Sequence, residues 1–260
     1  MKNLLLVLFS TILISCGGSN ESKSWYKPDV NTSWQWQLSG NINTSYDVEL
    51  YDIDLFDTPQ SVIDELHNQG KKVICYFSAG SYENWRDDNV TFVNSIKGYN
   101  LDGWAGEKWL DISQLDKLKP IMDARFDLAV SKKCDGVEPD NIDGYDNNTS
   151  FALSANDQLI YNKYLAKAAH KRGLSIALKN DINQIVELEP FFDFAVNEQC
   201  NQYNECDKYS SFTSNNKAVL NSEYNLNYIQ NNKCTFINTY NLRSLVLPLD
   251  LDDSFRISCD

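Results

Sequence analysis

Acidic side chains recur in pairs at the ends of short apolar runs. One run ends with Asp52 and Asp54, and another ends with Glu138 and Asp140. Because side chains alternate along a strand, the two members of each pair share one face. Carboxylates held together repel each other, and they are costly to bury without partners. The pairs therefore indicate either a metal site or two acids that cleave a glycosidic bond, one protonating the leaving oxygen and the other attacking the anomeric carbon or activating water.

The metal alternative receives little support from the rest of the sequence. Two histidines exclude a three-histidine site, and seven cysteines without a Cys-x-x-Cys pair argue against a zinc finger. Segment 140–146 resembles a calcium loop, but Phe151 occupies the twelfth position, where an EF-hand needs a bidentate glutamate. The motifs GxGxxG, Walker A and GxSxG do not occur. We therefore expect no metal and no cofactor.

Short β-like runs alternate with helix-like segments along the chain. The eight predicted strands are Trp34–Leu38, Glu49–Ile53, Lys72–Ser78, Lys108–Ile112, Asp135–Pro139, Ser175–Lys179, Phe192–Asn197 and Lys217–Asn221. The predicted helices are Pro59–Gln69, Ile121–Lys132, Ser154–Arg172 and Ile182–Leu188. This alternation predicts an α/β fold, a single (β/α)8 TIM-like barrel, with a doubly wound open sheet as the alternative. In such a barrel the C-terminal strand ends meet at one rim, which brings the acidic ends together.

Aromatic residues lie in or beside many of the predicted strand ends. They are Trp34, Trp36, Tyr51, Tyr76, Trp85, Trp104, Trp109, Tyr145 and Tyr224. Aromatic faces stack on sugar rings, but the same residues also fill cores, and core packing is favoured for Trp34 and Trp109. For Trp36, Tyr76 and Tyr224 the two interpretations are equally weighted.

Nine ordered segments between Trp34 and Tyr224 resemble the motifs of one enzyme family. They are Trp34–Gly40, Tyr51–Asp57, Val73–Ser81, Trp85–Arg86, Glu107–Asp111, Cys134–Asn141, Leu178–Asp181, Asn197–Cys200 and Glu223–Tyr224. On these segments the chain resembles the endo-α-1,4-polygalactosaminidase family, glycoside hydrolase family 114. The resemblance implies a (β/α)8 fold and hydrolysis of α-1,4-linked galactosamine polymers without a metal cofactor. The asparagine-rich C-terminal stretch is not covered by it.

The resemblance also implies a retaining reaction that uses one aspartate and one glutamate. By motif match these are Asp140, assigned as nucleophile, and Glu198, assigned as acid/base, and the two roles can be exchanged. Retention requires carboxyl groups about 5–5.5 Å apart. Two alternatives stay open: a sugar-binding surface lipoprotein without turnover, and a glycosidase of the same fold that acts on a different amino polysaccharide.

The same rim supplies candidates for substrate binding. The net charge of −13 disfavours a nucleic-acid partner and suits a cationic amino polysaccharide. Lys179 and Asn180 are expected to hold a hydroxyl group or to tune a carboxylate. The acids expected to pair with substrate ammonium groups are Asp52, Asp54, Asp111 and Glu223. The other predicted substrate-binding residues are Trp36, Tyr76, Glu138, Asn141 and Tyr224.

Residues 1–15 have the pattern of an export signal. Lys2 precedes an apolar run too short to span a bilayer, and the run ends in a segment, 13–16, that resembles a bacterial lipobox. We expect an exported protein held at the outer membrane by lipid on Cys16, with residues 16–32 as a flexible tether and 33–260 as a catalytic domain with a C-terminal extension. The alternative is an ordinary cleaved signal peptide.

Export to an oxidising compartment predicts disulfides among the six remaining cysteines. Cys200 and Cys206 are close enough in sequence to form a small loop, and a Cys234–Cys259 bond would tie down the C-terminal segment. Cys75 and Cys134 either pair or remain buried thiols. The chain is expected to be a monomer.

Overall fold

The computed structural model describes residues 24–231, 233–236 and 239–259, so Cys16 of the predicted lipobox lies outside the described residues. Its strands are β1 (Trp34–Gln37), β2 (Leu50–Asp54), β3 (Lys72–Ser78), β4 (Ser81–Glu83), β5 (Lys97–Asn100), β6 (Glu107–Leu110), β7 (Gly136–Asp140), β8 (Ser175–Lys179), β9 (Phe194–Glu198), β10 (Val219–Glu223), β11 (Ile229–Gln230), β12 (Lys233–Cys234), β13 (Arg243–Val246) and β14 (Ile257–Ser258). Its α-helices are α1 (Gln60–Asn68), α2 (Leu115–Ser131), α3 (Ala155–Arg172), α4 (Ile185–Leu188), α5 (Cys200–Tyr203) and α6 (Ser210–Ser214).

A curled, mostly parallel sheet forms the body of the molecule. Within the described ranges, eight strands lie parallel in the order β1, β2, β3, β7, β8, β9, β10 and β13, and β14 continues the sheet in the antiparallel direction. The first and last parallel strands meet where Trp34 Nε1 donates to the carbonyl oxygen of Arg243 at 2.9 Å. Arg256 also donates to the Trp34 carbonyl oxygen and to Gln35 Oε1, both at 2.8 Å. This architecture confirms the predicted (β/α)8 TIM-like barrel.

One of the predicted barrel strands is wrong. Lys108–Ile112 does not enter the barrel, because β6 pairs antiparallel with β4 and β5 in a separate three-stranded sheet between β3 and β7. The eighth barrel strand is β13, which follows the asparagine-rich stretch. Both segments are short and contain buried apolar residues. Sequence periodicity does not distinguish a barrel strand from a strand of an insertion.

Alternation along the strands divides the apolar core into two layers. The layer inside the barrel contains Trp34, Trp36, Leu50, Ile74, Ala177, Phe194, Val196, Leu220 and Leu245. The layer between strands and helices contains Tyr51, Ile53, Val73, Cys75, Phe77, Val137, Ile176, Leu178, Ala195 and Val219. Burying each large apolar side chain contributes about 1.5–3 kcal/mol, so both layers help to hold the barrel in this alternation. The same alternation turns the last residues of several strands toward the barrel axis.

Helix α3 is defined at both ends by local sequence, as predicted. Ser154 Oγ accepts a hydrogen bond from the Asp157 backbone N–H, and the Asp157 carboxylate accepts one from the Ser154 backbone N–H. This reciprocal capping box satisfies two amide donors that the first turn leaves free. Gly173 ends the helix with φ 78°, a conformation that glycine adopts without steric cost.

Residues 25–28, which the sequence assigns to the tether, contact the barrel. The Trp25 ring stacks on His170 with centroids 4.2 Å apart, and its Nε1 donates to Asp193 Oδ1 at 2.8 Å. The Ala218 amide donates to the carbonyl oxygen of Pro28 at 3.1 Å. The packed body therefore includes residues that precede position 33, because the tryptophan finds both an aromatic partner and an acceptor.

Three disulfides link segments of the barrel and its loops. They are Cys75–Cys134, Cys200–Cys206 and Cys234–Cys259. The Cys200–Cys206 and Cys234–Cys259 bonds are the pairings that the sequence favours. The Cys75–Cys134 bond shows that these two cysteines pair rather than remain free thiols. Such bonds fit an oxidising, extracytoplasmic compartment. No helix in the described part of the chain has the length and apolar character needed to cross a bilayer.

Candidate active site

A buried lysine lies at the centre of the C-terminal rim of the barrel. Lys179, the last residue of β8, is 1% exposed. Its Nζ is 2.9 Å from Glu138 Oε1, 3.1 Å from Asp140 Oδ1 and 3.3 Å from Glu198 Oε2. Burial by itself lowers the pKa of this ammonium, but attraction by the three carboxylates outweighs it and raises the pKa well above its ordinary value. Lys179 is therefore a permanent cation that three acids share.

Two tyrosines hold the remaining oxygens of the outer two carboxylates. Tyr76 donates from its hydroxyl to Asp140 Oδ2 at 3.0 Å, and the Tyr224 hydroxyl donates to Glu198 Oε1. Burial, followed by the adjacent carboxylate, raises the pKa of both phenols, which keeps them protonated as donors. The backbone N–H of Asn141 adds a further donor to Asp140 Oδ1 at 2.7 Å. Asp140 thus receives three donors from protein groups, and Glu198 receives two.

Left-handed residues follow the strand ends that carry these groups. Asn141 (φ 60°), Asn180 (φ 46°) and Gln199 (φ 67°) come directly after β7, β8 and β9. Positive φ is uncommon outside glycine, although asparagine tolerates it better than most residues. In addition, Asn180 Oδ1 accepts from the backbone N–H of Glu198 at 3.0 Å. These conformations end the three strands abruptly and leave their last side chains at the rim.

A second acid pair lies beneath the lysine, inside the barrel. Asp52 and Glu138 are both fully shielded from solvent. Burial and then the neighbouring Glu138 raise the pKa of Asp52 well above its ordinary value, and burial also raises the pKa of Glu138. Charge repulsion from Glu138 contributes to the raised pKa of Asp52. Since two neighbouring buried carboxylates cannot both ionise cheaply, Asp52 keeps its proton, whereas Glu138 pairs with Lys179.

Above these residues a cavity of about 590 Å³ opens at the rim. It is lined by Tyr76, Tyr99, Asn100, Leu101, Asp102, Trp104, Glu107, Trp109, Asp140, Asn141, Ile142, Asp143, Asn147, Asn148, Lys179, Asn180 and Glu198. Five of these lining residues are carboxylic acids and one is a lysine. The described residues include no group of three or more histidine, cysteine, aspartate or glutamate side chains arranged to hold a metal ion. The cavity therefore presents two close carboxylates in an acidic, partly aromatic surface.

This arrangement agrees with the comparison with known families. The sequence model described as glycoside-hydrolase family GH114 matches residues 18–260. The chain belongs to family GH114. A comparison with curated proteins gives no match.

Solved structures place this GH114 chain beside other carbohydrate-active enzymes. Aspergillus fumigatus Ega3, solved in complex with galactosamine, is 42% identical, with a TM-score of 0.85 over 92% of this chain and 100% of that chain. The glycoside hydrolase domain of PelA from Pseudomonas aeruginosa is 10% identical, with a TM-score of 0.65 over 85% of this chain and 96% of that chain. The PelA likeness supports the fold alone. Together with the family match, these findings establish a glycoside hydrolase.

The GH114 chain brings six of the predicted site residues to the cavity. These are Tyr76, Asp140, Asn141, Lys179, Asn180 and Glu198. Trp36, Asp52 and Glu138 lie below it, inside the barrel, where the Trp36 ring faces Lys179 Nζ at 4.8 Å from its centroid. Tyr224 reaches the site through its bond to Glu198.

Three acids that were predicted to bind substrate have protein partners outside the cavity lining instead: Asp54, Asp111 and Glu223. Asp54 is bound by Arg86, with Nη2 to Oδ2 at 2.6 Å, and it is not among the lining residues. Asp111 accepts from the hydroxyl and the backbone N–H of Ser113, in a turn after the misplaced strand.

Glu223 lies on the opposite face of β10 from the site. Its Oε1 accepts from the backbone N–H of Asn201 at 2.9 Å and from that residue's side chain at 3.1 Å. Leu220 of the same strand belongs to the layer inside the barrel and Val219 to the layer beneath the helices, so the parity of position 223 directs it away from the axis. Glu223 therefore anchors the loop that carries α5.

The insertion between β3 and β7 supplies lining residues that are absent from the predicted site. Tyr99, Trp104 and Glu107 come from it, and so do Asn100, Leu101 and Asp102. A usable signal was present, since residues 99–107 combine two aromatic residues, two acids and two glycines in a short stretch. Because Lys108–Ile112 was interpreted as a barrel strand, residues 99–107 were not recognised as part of an insertion that lines the site.

Proposed function

We propose that this GH114 chain is an endo-acting hydrolase of α-1,4-linked galactosamine polysaccharides that retains the anomeric configuration. The contact of both Asp140 and Glu198 with the single ammonium of Lys179 carries this proposal. Because their oxygens lie 3.1 and 3.3 Å from one atom, the closest oxygens of the two carboxylates are no farther apart than the sum of these distances. That limit accommodates the separation of about 5–5.5 Å expected of the two carboxyl groups of a retaining enzyme.

The donors around the two carboxylates support distinct roles. Asp140 receives three donors, which suits the anionic nucleophile that attacks the anomeric carbon. Glu198 receives two donors and is the more exposed, at 28% against 17%, which suits a group that exchanges protons with the leaving oxygen and with water. In the first step Glu198 gives its proton to the glycosidic oxygen as Asp140 forms the glycosyl ester. In the second step Glu198 takes a proton from water, whose oxygen displaces Asp140.

The charge of the cavity supports a cationic substrate. Five carboxylic acids and one lysine line it, and the chain as a whole carries −13. Such a surface attracts polymers whose amino groups are free and positively charged. Ega3, which is 42% identical, was solved with galactosamine bound. Tyr99 and Trp104 are about half exposed on the cavity wall, which leaves the open side that a polymer needs if it is cut internally.

We also propose that the protein acts as a monomer tethered to the outer membrane by lipid on Cys16. The lipobox-like segment 13–16 supports this, together with three disulfides that fit an oxidising compartment. Cell fractionation with labelled fatty acid tests it. We expect label and membrane association in the natural chain and neither in Cys16→Ala, whereas label-free natural protein in the soluble fraction would contradict the anchor.

The hydrolase proposal is tested with purified protein and deacetylated α-1,4-galactosaminan. Released oligosaccharides are followed by mass spectrometry, and the configuration of the first product is read by NMR. We expect internal cuts by the natural chain, none by Asp140→Asn or Glu198→Gln, and normal activity in Glu187→Gln, which removes an exposed acid outside the cavity. Binding without any release would instead support a sugar-binding protein, and release only from another amino polysaccharide would replace the substrate.

A further inference from the structure

One wall of the cavity comes from the three-stranded sheet rather than from the barrel. Tyr99, Trp104 and Glu107 line this wall. Tyr99 is 57% exposed and Trp104 is 48% exposed, so both rings are available to a ligand. Glu107 is only 6% exposed. The wall thus combines aromatic surface with a buried carboxylate.

Glu107 differs from its neighbour on the adjacent strand in how its charge is compensated. Glu83, paired with Glu107 in register, binds Arg86 at 2.9 Å and lies 3.7 Å from Arg125. Among the residues that the structure describes, Glu107 forms no ion pair, and its hydrogen bond comes from Ser81 Oγ to Oε2 at 2.7 Å. One oxygen of Glu107 is therefore held by the protein, and the other has no hydrogen bond from a described residue.

The position of Glu107 is linked to that of the proposed nucleophile. Ser81 Oγ also contacts Ser78 Oγ at 2.6 Å, and the Asn141 side chain donates to Ser78 Oγ at 2.9 Å. The Asn141 backbone N–H in turn donates to Asp140. This continuous chain of hydrogen bonds fixes Glu107 relative to Asp140 across one cavity. A sugar that contacts Glu107 consequently lies in the same cavity as the proposed nucleophile.

We propose that Glu107 binds the ammonium group of an amino sugar that rests against Tyr99 and Trp104, and that it thereby selects free amines over N-acetylated ones. This inference rests on the proposed function, because it assigns the residue that binds the amino group of the proposed substrate. A buried carboxylate without a cation gains strongly from an ammonium donor. An acetamide is neutral and larger, so it supplies no such compensation.

Ionisation of Glu107 is coupled to this binding. Burial raises the pKa of Glu107 to about 7, with further increases from Glu83 and Asp140 and a decrease from Arg86, the charged groups that face it. An ammonium ligand binds the ionised form, so binding near neutral pH expels a proton from the fraction that is protonated. The affinity for free amines therefore increases as the pH rises through about 7.

The test measures kcat and KM of the purified full chain on deacetylated galactosaminan and on the same polymer after chemical N-acetylation. For Glu107→Gln we expect KM on the deacetylated polymer to rise about 10- to 100-fold, the usual worth of a charged hydrogen bond, with kcat within about threefold. On the acetylated polymer we expect no change. Glu107→Asp should recover part of the affinity, and Glu187→Gln serves as the charge-matched control. The improvement of KM between about pH 6 and 7 that ionisation of Glu107 produces should be absent in Glu107→Gln, whereas the titration of the substrate amines at higher pH remains in both proteins.

Two outcomes overturn the proposal. One is an equal loss on both polymers, which identifies Glu107 as a structural residue, and the other is a fall in kcat with KM unchanged, which assigns it to the chemistry. If the natural chain cuts neither polymer, the proposed function fails instead. Calorimetric binding of galactosamine and N-acetylgalactosamine then tests the inference about Glu107 separately. A preference for galactosamine that Glu107→Gln abolishes supports the inference. Equal binding of both sugars contradicts it.

Discussion

The ammonium of Lys179 lies 2.9 Å from the carboxylate of Glu138, and both groups are almost completely shielded from solvent. Burial and the charge of Glu138 raise the pKa of Asp52, which keeps that neighbouring acid protonated. Two further carboxylates reach the same ammonium from the rim. One cation thus connects the barrel interior to the reacting groups, and its removal should affect stability and catalysis together.

Replacing Lys179 with methionine should destabilise the protein by about 3–5 kcal/mol, because an unpaired buried carboxylate remains at Glu138. Adding Glu138→Gln should restore much of that stability, since it removes the unpaired charge, but it should not restore turnover. Urea unfolding and kcat of the two single variants and the double variant form the cycle that measures this coupling. Additive stability losses would show that the pair is energetically independent.

Replacing Tyr224 with phenylalanine should lower kcat about 10- to 100-fold, because Glu198 loses a charged hydrogen bond worth roughly 1.5–3 kcal/mol. Tyr76→Phe is the matched variant on Asp140 and should act similarly. Steady-state kinetics on galactosaminan measures both effects, and thermal unfolding checks the fold. Unchanged kcat in both variants would mean that neither hydroxyl supports the reacting carboxylates.

Azide should distinguish the roles of the two carboxylates. With a substrate whose leaving group needs no protonation, Glu198→Gln should recover turnover in azide and form a glycosyl azide of retained configuration, because azide attacks the ester on Asp140 without general-base help. Asp140→Asn should give an azide of inverted configuration, since no ester forms. NMR of the products reads the configuration, and the opposite pattern would exchange the two assignments.

Asp181 should make the protein less stable as the pH rises. Burial raises the pKa of Asp181 to about 8, whereas the unfolded value is about 3.9. Between these values the folded state holds a proton that the unfolded chain has lost, so stability falls with rising pH by at most about 1.4 kcal/mol per pH unit.

Asp181→Asn should flatten this pH slope and raise Tm at pH 8. Asparagine tolerates the positive φ of 47° and can still accept from Asn162. Thermal unfolding from pH 5 to 8 measures the effect, with Asp116→Asn as a control because Asp116 is exposed and is not among the groups that shift Asp181. Parallel curves for the natural chain and Asp181→Asn would contradict the prediction.

Removing the Cys75–Cys134 bond should cost more stability than removing Cys200–Cys206. The bonds close loops with sequence separations of 59 and 6, for which the chain-entropy relation gives about 4 and about 2 kcal/mol. Urea unfolding of the two paired-alanine variants provides the comparison. Equal losses would mean that native-state strain or residual unfolded structure outweighs loop closure.

Much of the fold was readable because strand alternation and helix caps are local signals. Seven predicted strands overlap barrel strands, and the Ser154 and Gly173 limits of α3 hold. The misplaced strand at 108–112 shows where this reasoning stops, since an insertion and a barrel strand have the same local pattern. The order of strands around the sheet is a long-range property.

The candidate site was predictable where strand parity and strand ends agree, as for Asp140 and Lys179, whereas Glu198 was predicted from the family motif. Asp54 also points inward, yet its carboxylate forms a salt bridge with Arg86, which comes from the insertion. Glu223 lies on the other face of its strand, where Asn201 contacts it. Glu107 reaches the cavity through the same insertion.

By itself the sequence determined the family, the barrel class and the acidic residues at the strand ends, because these depend on local patterns and residue types. Only the tertiary structure decided which acids face the cavity and which are neutralised by arginine, lysine or amide partners. The reason is that the charge and accessibility of a carboxylate depend on groups far away in sequence. Lys179 is an example, because it lies 39 or more positions from Asp140 and Glu138 along the chain but within hydrogen-bonding distance of both in space.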